Sequence, residues 1–221
     1  SSSSLVTDYK EWSDQLPFMT KNVTDFDNFQ WFNEDIIDQL YEHKDSLKYL
    51  YINGGEPFIM PMHWKLLERL IEWDVAKNIH ISYNTNCTTY DESFSDYWKH
   101  FKVVTLGCSM DAVEDKNKFI RYPNDWDRSN ENIRKLLENP YIASLNITCS
   151  IQWLNAPFLP EFYEWAVPLT KLKPHTTINQ NFIVFPDYLS LNCASKGFKK
   201  ELTQLYEESP YSNWILTETM K

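Results

Sequence analysis

Glycine is scarce in this sequence, which has four glycines in 221 residues, and two of the four are adjacent at Gly54-Gly55. They follow an apolar run typical of a buried strand and precede Glu56-Pro57 and an amphipathic helical pattern. A phosphate-binding loop is excluded because no GK[ST] follows and the Glu56 carboxylate would repel phosphate. The pair can be a tight turn that enters a helix at Pro57. The alternative is a ligand site in which the glycines expose backbone carbonyls and Glu56 holds a cation such as an ammonium group.

Three other features are missing. Acidic residues outnumber basic residues, and the resulting net charge of -10 argues against a nucleic-acid surface. No apolar run approaches the ~18 residues of a membrane span. The opening residues, SSSSLVTDYKEW, lack the basic and apolar regions of a secretory signal, so we expect a cytoplasmic protein without membrane contact.

The cysteines and histidines show no metal-binding pattern. The cysteines are Cys87, Cys108, Cys149 and Cys193. They form no CxxC pair, so a zinc ribbon or a thioredoxin-type site is not expected, and reduced thiols are the simplest interpretation. The histidines form no HxH or HExxH pair. No metal ligand is predicted from either set.

Strand and helix patterns alternate along the chain. The predicted strands are 47–52, 78–83, 102–108, 142–151 and 177–184, and the predicted helices are 29–43, 61–73, 91–100, 127–137, 159–169 and 199–207. Ser129 is the expected cap of the fourth helix, and Asp111–Asp115 is expected to be a solvated loop apart from Asp111. The alternation predicts an α/β fold built from parallel βα units.

Small polar residues follow each of the first four predicted strands. These segments are Asn53–Pro57, Asn84–Thr88, Ser109–Ala112, and Gln152 with Asn155. Ligands of parallel α/β sheets bind at the carboxyl ends of the strands. The sequence therefore predicts one binding site along this edge of the sheet.

The ordered set resembles the radical S-adenosylmethionine (radical SAM) family, and in particular its group with a partial (β/α)6 TIM-like barrel and peptide-modifying members. Gly54, Gly55 and Glu56 match the family's GGE segment. Thr85-Asn86-Cys87 stands where many members have TNG, and Ser109-Met110-Asp111-Ala112 stands where many have SxDG. Both segments lack the final glycine.

The resemblance implies roles for eight residues toward S-adenosylmethionine (SAM). Gly54, Gly55 and Glu56 would hold the methionine ammonium group. Ser109, Asp111 and Arg121 would orient the carboxylate and the ribose, while Asn86 and Gln152 would contact the adenosine or shape its pocket. The implied reaction uses a reduced [4Fe–4S] cluster to convert SAM into a 5′-deoxyadenosyl radical that abstracts hydrogen from a substrate, possibly a peptide by family analogy. No catalytic residue is assigned, and the implied electron donor is a flavodoxin or a ferredoxin.

The family's cluster-binding CxxxCxxC segment does not occur in this sequence. We therefore expect a single partial-barrel core over residues 1–221 that begins downstream of the first strand and the cluster loop. The resemblance extends to about Pro186, residues 187–221 would close the core, and the chain alone would be inactive. Two alternatives are a non-catalytic α/β binding module and an unrelated transferase in which Asp111 binds a metal.

Overall fold

The computed structural model describes residues 34–213 and residue 215. They contain one five-stranded sheet in which every neighbouring pair is parallel and the strands follow their order in the chain. The strands are β1 (Tyr49–Ile52), β2 (His80–Thr85), β3 (Val103–Ser109), β4 (Ile142–Ile151) and β5 (Thr177–Phe182). The predicted α/β class with parallel strands is confirmed.

Helices connect the strands, as the alternating pattern predicts. They are α1 (Glu34–Tyr41), α2 (Pro61–Glu72), α3 (Phe94–Trp98), α4 (Glu114–Ile120), α5 (Trp126–Glu138), α6 (Leu159–Leu169) and α7 (Lys196–Glu207). Crossovers between parallel strands are right-handed, so a sheet whose strands follow chain order carries its crossover helices on one face. This arrangement is the singly wound geometry of a partial barrel.

The hydrophobic core lies between that face and the helices. Alternate strand residues such as Ile81, Leu106 and Ile147 are fully buried there, and α2 and α5 contribute Leu67 and Ile133. The opposite face of the sheet carries partly exposed polar residues instead. No helix among the described residues is long and apolar enough to cross a membrane.

Two predictions near the binding edge were wrong. Asp111–Asp115 is not a solvated loop, because α4 begins at Glu114. Two acidic residues in the first turn stabilise this helix, since negative charges interact favourably with the positive N-terminal end of the helix dipole. Ser129 does not cap the next helix: Asp125 does so by accepting a hydrogen bond from the Arg128 backbone N–H at 3.2 Å. Ser129 is buried, and its hydroxyl accepts a hydrogen bond from the Asn124 side chain instead.

The helix boundaries also shift at both ends of the described chain. Residues 29–33 of the first predicted helix lie outside the described residues, and that helix ends at Tyr41 rather than at residue 43. The last helix begins at Lys196 rather than at residue 199, because the Ser195 hydroxyl caps it by accepting from the Phe198 backbone N–H at 3.1 Å.

Candidate functional site

The two adjacent glycines follow β1 in left-handed backbone conformations, with φ of +94° at Gly54 and +58° at Gly55. L-residues rarely adopt these angles, which explains why glycine stands at both positions. A Cβ at either one would meet no heavy atom closer than 3.9 Å, so conformation rather than crowding requires glycine. The turn brings Glu56 back over the end of β2.

Glu56 is 8% exposed, and each of its carboxylate oxygens accepts a hydrogen bond from the turn after β2. Thr85 Oγ1 donates to Oε1 at 2.7 Å, and the Asn86 backbone N–H donates to Oε2 at 2.8 Å. Burial raises the pKa of Glu56, while these two bonds and the nearby Arg121 charge oppose the rise. Glu56 therefore joins the ends of β1 and β2, a role that the motif alone does not reveal.

The turn after β2 has Cys87 at the position where many members of the family that the sequence resembles have glycine. Cys87 has a φ of +60°, the conformation that glycine adopts most easily. The turn is anchored on both sides of it, because the Cys87 backbone N–H donates to Thr85 Oγ1 at 2.9 Å and Asn132 Nδ2 donates to the Cys87 carbonyl at 2.8 Å. Asn86 Oδ1 in turn accepts bonds from Thr88 N and Thr88 Oγ1. Cys87 thus adopts a left-handed conformation that glycine would adopt more easily.

Asp111 and Arg121 form an ion pair beside the end of β3. Arg121 Nη1 lies 2.7 Å from Asp111 Oδ2, and Asp111 Oδ1 accepts from the Ser150 backbone N–H of β4 at 2.7 Å. The Arg121 side chain is 25% exposed, and the contact with Asp111 engages one of its five N–H donors. Ser109 is the last residue of β3 and is partly buried. Both Asp111 oxygens are therefore occupied by donors within the protein.

Gln152 follows β4 directly and is 5% exposed. Its backbone N–H donates to Asn155 Oδ1 at 2.8 Å, but its side-chain Oε1 has no hydrogen-bond partner among the described residues. A buried amide oxygen without a donor is rare and costs free energy, so it marks a place where a ligand donor fits. Seven of the eight residues predicted for the site thus lie at the carboxyl ends of β1 to β4, and Arg121, which follows α4, reaches that edge through its contact with Asp111.

Two asparagines that the sequence analysis did not select link these strand ends. Asn117 Oδ1 accepts from the Asp111 backbone N–H at 3.1 Å, and Asn117 Nδ2 donates to Asn124 Oδ1 at 3.0 Å. Asn124 Nδ2 contacts Ser129 Oγ at 3.1 Å and the Asn86 carbonyl at 3.4 Å. We call these three residues, Asn117, Asn124 and Ser129, the asparagine bridge. They are buried polar residues, and no local motif marks them.

The described residues do not fit an iron–sulfur cluster. Cys87, Cys108 and Cys149 are fully buried and unpaired, Cys193 is exposed, and burial raises the pKa of the Cys87 and Cys149 thiols well above its usual range. Over residues 34–213 and 215, no group of three His, Cys, Asp or Glu side chains is placed to hold a metal. The edge of the sheet instead offers a carboxylate that can bind a cation, a guanidinium that can bind an anion, and an unpartnered amide oxygen that can accept from a neutral donor.

The fold defines the chain as a parallel α/β partial barrel with polar residues gathered at the carboxyl ends of its strands. The family model described as the radical SAM superfamily matches residues 32–151, which is more than half of the chain. The chain belongs to the radical SAM superfamily. The alternative of an unrelated metal-dependent transferase was therefore wrong, and the occupied oxygens of Asp111 agree with this result.

Solved structures of SuiB from Streptococcus suis share the fold. SuiB bound to S-adenosylmethionine is 16% identical with a TM-score of 0.51, and the match covers 84% of this chain and 41% of that chain. SuiB bound to the precursor peptide SuiA is 15% identical with a TM-score of 0.50, covering 79% and 39%. This chain thus spans about two fifths of the SuiB structures. Comparison with curated protein sequences finds no relative that matches the chain.

Proposed function

We propose that this chain is the SAM-binding core of a radical SAM enzyme that acts on a peptide. The observation that carries the proposal is the position of Glu56, Arg121 and the unpartnered Gln152 oxygen along the same edge of the sheet. Arg121 is close enough to Glu56 for its charge to lower the carboxyl pKa. A carboxylate and a guanidinium at the same edge of the sheet suit a zwitterionic amino-acid group.

The chain's residues would divide the binding of SAM among them. Gly54, Gly55 and Glu56 take the ammonium group, and Ser109, Asp111 and Arg121 take the carboxylate and the ribose. Asn86 and Gln152 shape the adenosine pocket. Once bound and reduced, SAM supplies the radical that abstracts hydrogen from the substrate. All four cysteines lie within the described residues and lack the CxxxCxxC spacing, so the proposal assigns no [4Fe–4S] ligand to this sequence.

The peptide substrate is proposed by analogy with SuiB, whose structure has been solved bound to its precursor peptide SuiA. A cytoplasmic location agrees with four unpaired cysteines, and a flavodoxin or ferredoxin would supply the electron. If the full-length protein carries no iron, the non-catalytic binding module becomes the better description.

Titration calorimetry of SAM into the full-length protein tests the proposal through Glu56→Gln. We expect SAM affinity to fall by roughly 10- to 100-fold, the effect of losing a hydrogen bond to a charged group. The amide can still accept from Asn86 N–H and donate to the Thr85 hydroxyl, so the turn is spared. Since burial raises the pKa of Glu56, wild-type affinity should decline on acidification at a higher pH than for an ordinary Glu, and the variant should lack this decline.

Glu72→Gln is the matched control, because Glu72 is exposed on α2 and pairs only with Arg69 in the described contacts. It should leave the affinity unchanged. Equal affinity of wild type and Glu56→Gln would remove Glu56 from the site, and a wild-type protein that binds no SAM would overturn the proposed function as a whole.

A further inference from the structure

Within the described part of the chain, the face of the sheet opposite the helices is mainly polar from strand to strand. In β4, Leu145 and Ile147 are buried beneath the helices, whereas the alternating Ser144, Asn146 and Thr148 are partly exposed on the other face. Parallel sheets are usually apolar on both faces, because both are covered. A polar face forgoes that burial, so it calls for a functional explanation.

The register aligns polar residues of neighbouring strands in rows. Thr105 of β3 pairs with Ser82 of β2 and with Ser144 of β4, and Thr148 of β4 pairs with Ser109 and with Asn179 of β5. Polar residues also continue along the strands to the binding edge. Ser109 is the last residue of β3 and lies on this face, and Gln152, two residues after Ser150, directly follows the end of β4. The face is therefore continuous with the proposed SAM site.

This face carries no formal charge on Asp, Glu, Lys or Arg. None of these residues occupies the alternate positions of the described strands from Tyr49 to Asn181, although 24% of the chain is charged. The polar groups present are hydroxyls, amides and one imidazole, alongside the Val103 side chain and the half-exposed rings of Tyr49 and Tyr51, and several of the polar groups hold one another in place. Asn84 Nδ2 donates to the Tyr51 hydroxyl at 2.6 Å, and the Thr177 hydroxyl donates to Asn146 Oδ1 at 2.6 Å.

Gly107 permits one of these arrangements. A Cβ built at this position would lie 2.4 Å from Asn84 Oδ1, so the Asn84 amide lies across β3 only because residue 107 has no side chain. At the centre of this face, the missing side chain of Gly107 therefore leaves the space that the Asn84 amide occupies.

We infer that this face, the polar face, receives the substrate peptide and selects a segment of uncharged, hydrogen-bonding residues. The inference rests on the proposed function and narrows its substrate. A charged group would lose its hydration here without meeting an opposite charge, and an apolar group would leave hydroxyls and amides unpaired. The hydroxyl and amide groups of this face can both donate and accept hydrogen bonds. They can therefore pair with main-chain amides and with the side chains of Ser, Thr, Asn or Gln, and Gly residues expose their main chain to them.

The test is selection of random linear peptides on the full-length protein in the presence of SAM. We expect enrichment of Ser, Thr, Asn, Gln and Gly and depletion of Asp, Glu, Lys and Arg. Asn146→Asp places one negative charge on the polar face and keeps the oxygen that Thr177 contacts. This variant should bind the best neutral peptide roughly 5- to 50-fold more weakly. It should also shift the selection toward Lys and Arg.

Asn78→Asp is the matched control, because Asn78 is exposed at the opposite end of the sheet, before β2. It should leave the selection unchanged. Enrichment of charged or apolar peptides by the wild type, no enrichment, or an unaltered preference in Asn146→Asp would each overturn the inference. SAM binding measured on the same samples separates the two hypotheses: if SAM binds while the peptide preference fails, only this inference falls.

Discussion

The clearest pH sensor at the scale of single residues lies away from the site. His63 of α2 is 1% exposed, its Nε2 lies 3.0 Å from the Tyr83 hydroxyl, and its ring packs edge-on against the Tyr83 ring. Burial lowers the pKa of His63 to about 3, although a backbone contact with Pro57 opposes the shift. His63 therefore stays neutral in the folded protein under conditions in which the unfolded chain takes up a proton.

Stability should fall as the pH drops below 6.5, because the unfolded state then binds one more proton at this position. Near pH 5 the contribution approaches about 1.4 kcal/mol per pH unit. His63→Gln removes the titrating group and should reduce the slope of unfolding free energy against pH by that amount in urea titrations. His100→Gln, at an exposed position, is the control, and equal slopes for wild type and His63→Gln would contradict the assignment.

At the scale of elements, the asparagine bridge ties the β2 turn to the end of β3 and the start of α5. Asn124→Ala would leave the Asn117 amide without its buried partner and would remove one of the two side-chain donors to the Asn86 carbonyl, since the Ser129 hydroxyl also donates to it at 3.3 Å; the cost is about 1–3 kcal/mol. We expect faster hydrogen exchange at the backbone amides of residues 86–88 and weaker SAM binding. Asn124→Asp keeps the oxygen that accepts from Asn117 and should recover part of both effects.

Asn78→Ala, at an exposed position, is the control for Asn124→Ala. If Asn124→Ala lowers stability while exchange at residues 86–88 and SAM affinity stay at wild-type values, the bridge is structural and does not position the site.

The elements also show how far the sequence predicts the structure. Apolar strand runs and their spacing predicted all five strands and their parallel arrangement, because these depend on local pattern and on general crossover rules. The α4 helix was missed because its acidic start resembles a solvated loop until the helix dipole is considered. The bridge was missed for another reason: Asn124 and Asn86 are 38 residues apart, and no local pattern encodes that contact.

At the scale of the whole molecule, the proposed SAM ligands come from the ends of four strands and from the segment after α4. Glu56 joins β1 to β2, Asp111 joins β3 to β4 and to Arg121, and the asparagine bridge joins these two groups. A ligand that contacts several of these strand ends binds the folded protein but not the unfolded chain, in which the strand ends are far apart. Binding and folding are therefore linked.

The full-length protein should accordingly gain about 2.7 kcal/mol of stability when SAM is present at 100 times its dissociation constant. Hydrogen exchange should slow together at the four strand ends, in residues 53–57, 84–88, 109–112 and 150–152, because one ligand spans them. The exposed face of α7 should not change, since α7 supplies no proposed ligand. Protection confined to one strand end would show that SAM contacts a single turn, and it would break the argument that the edge of the sheet acts as one site.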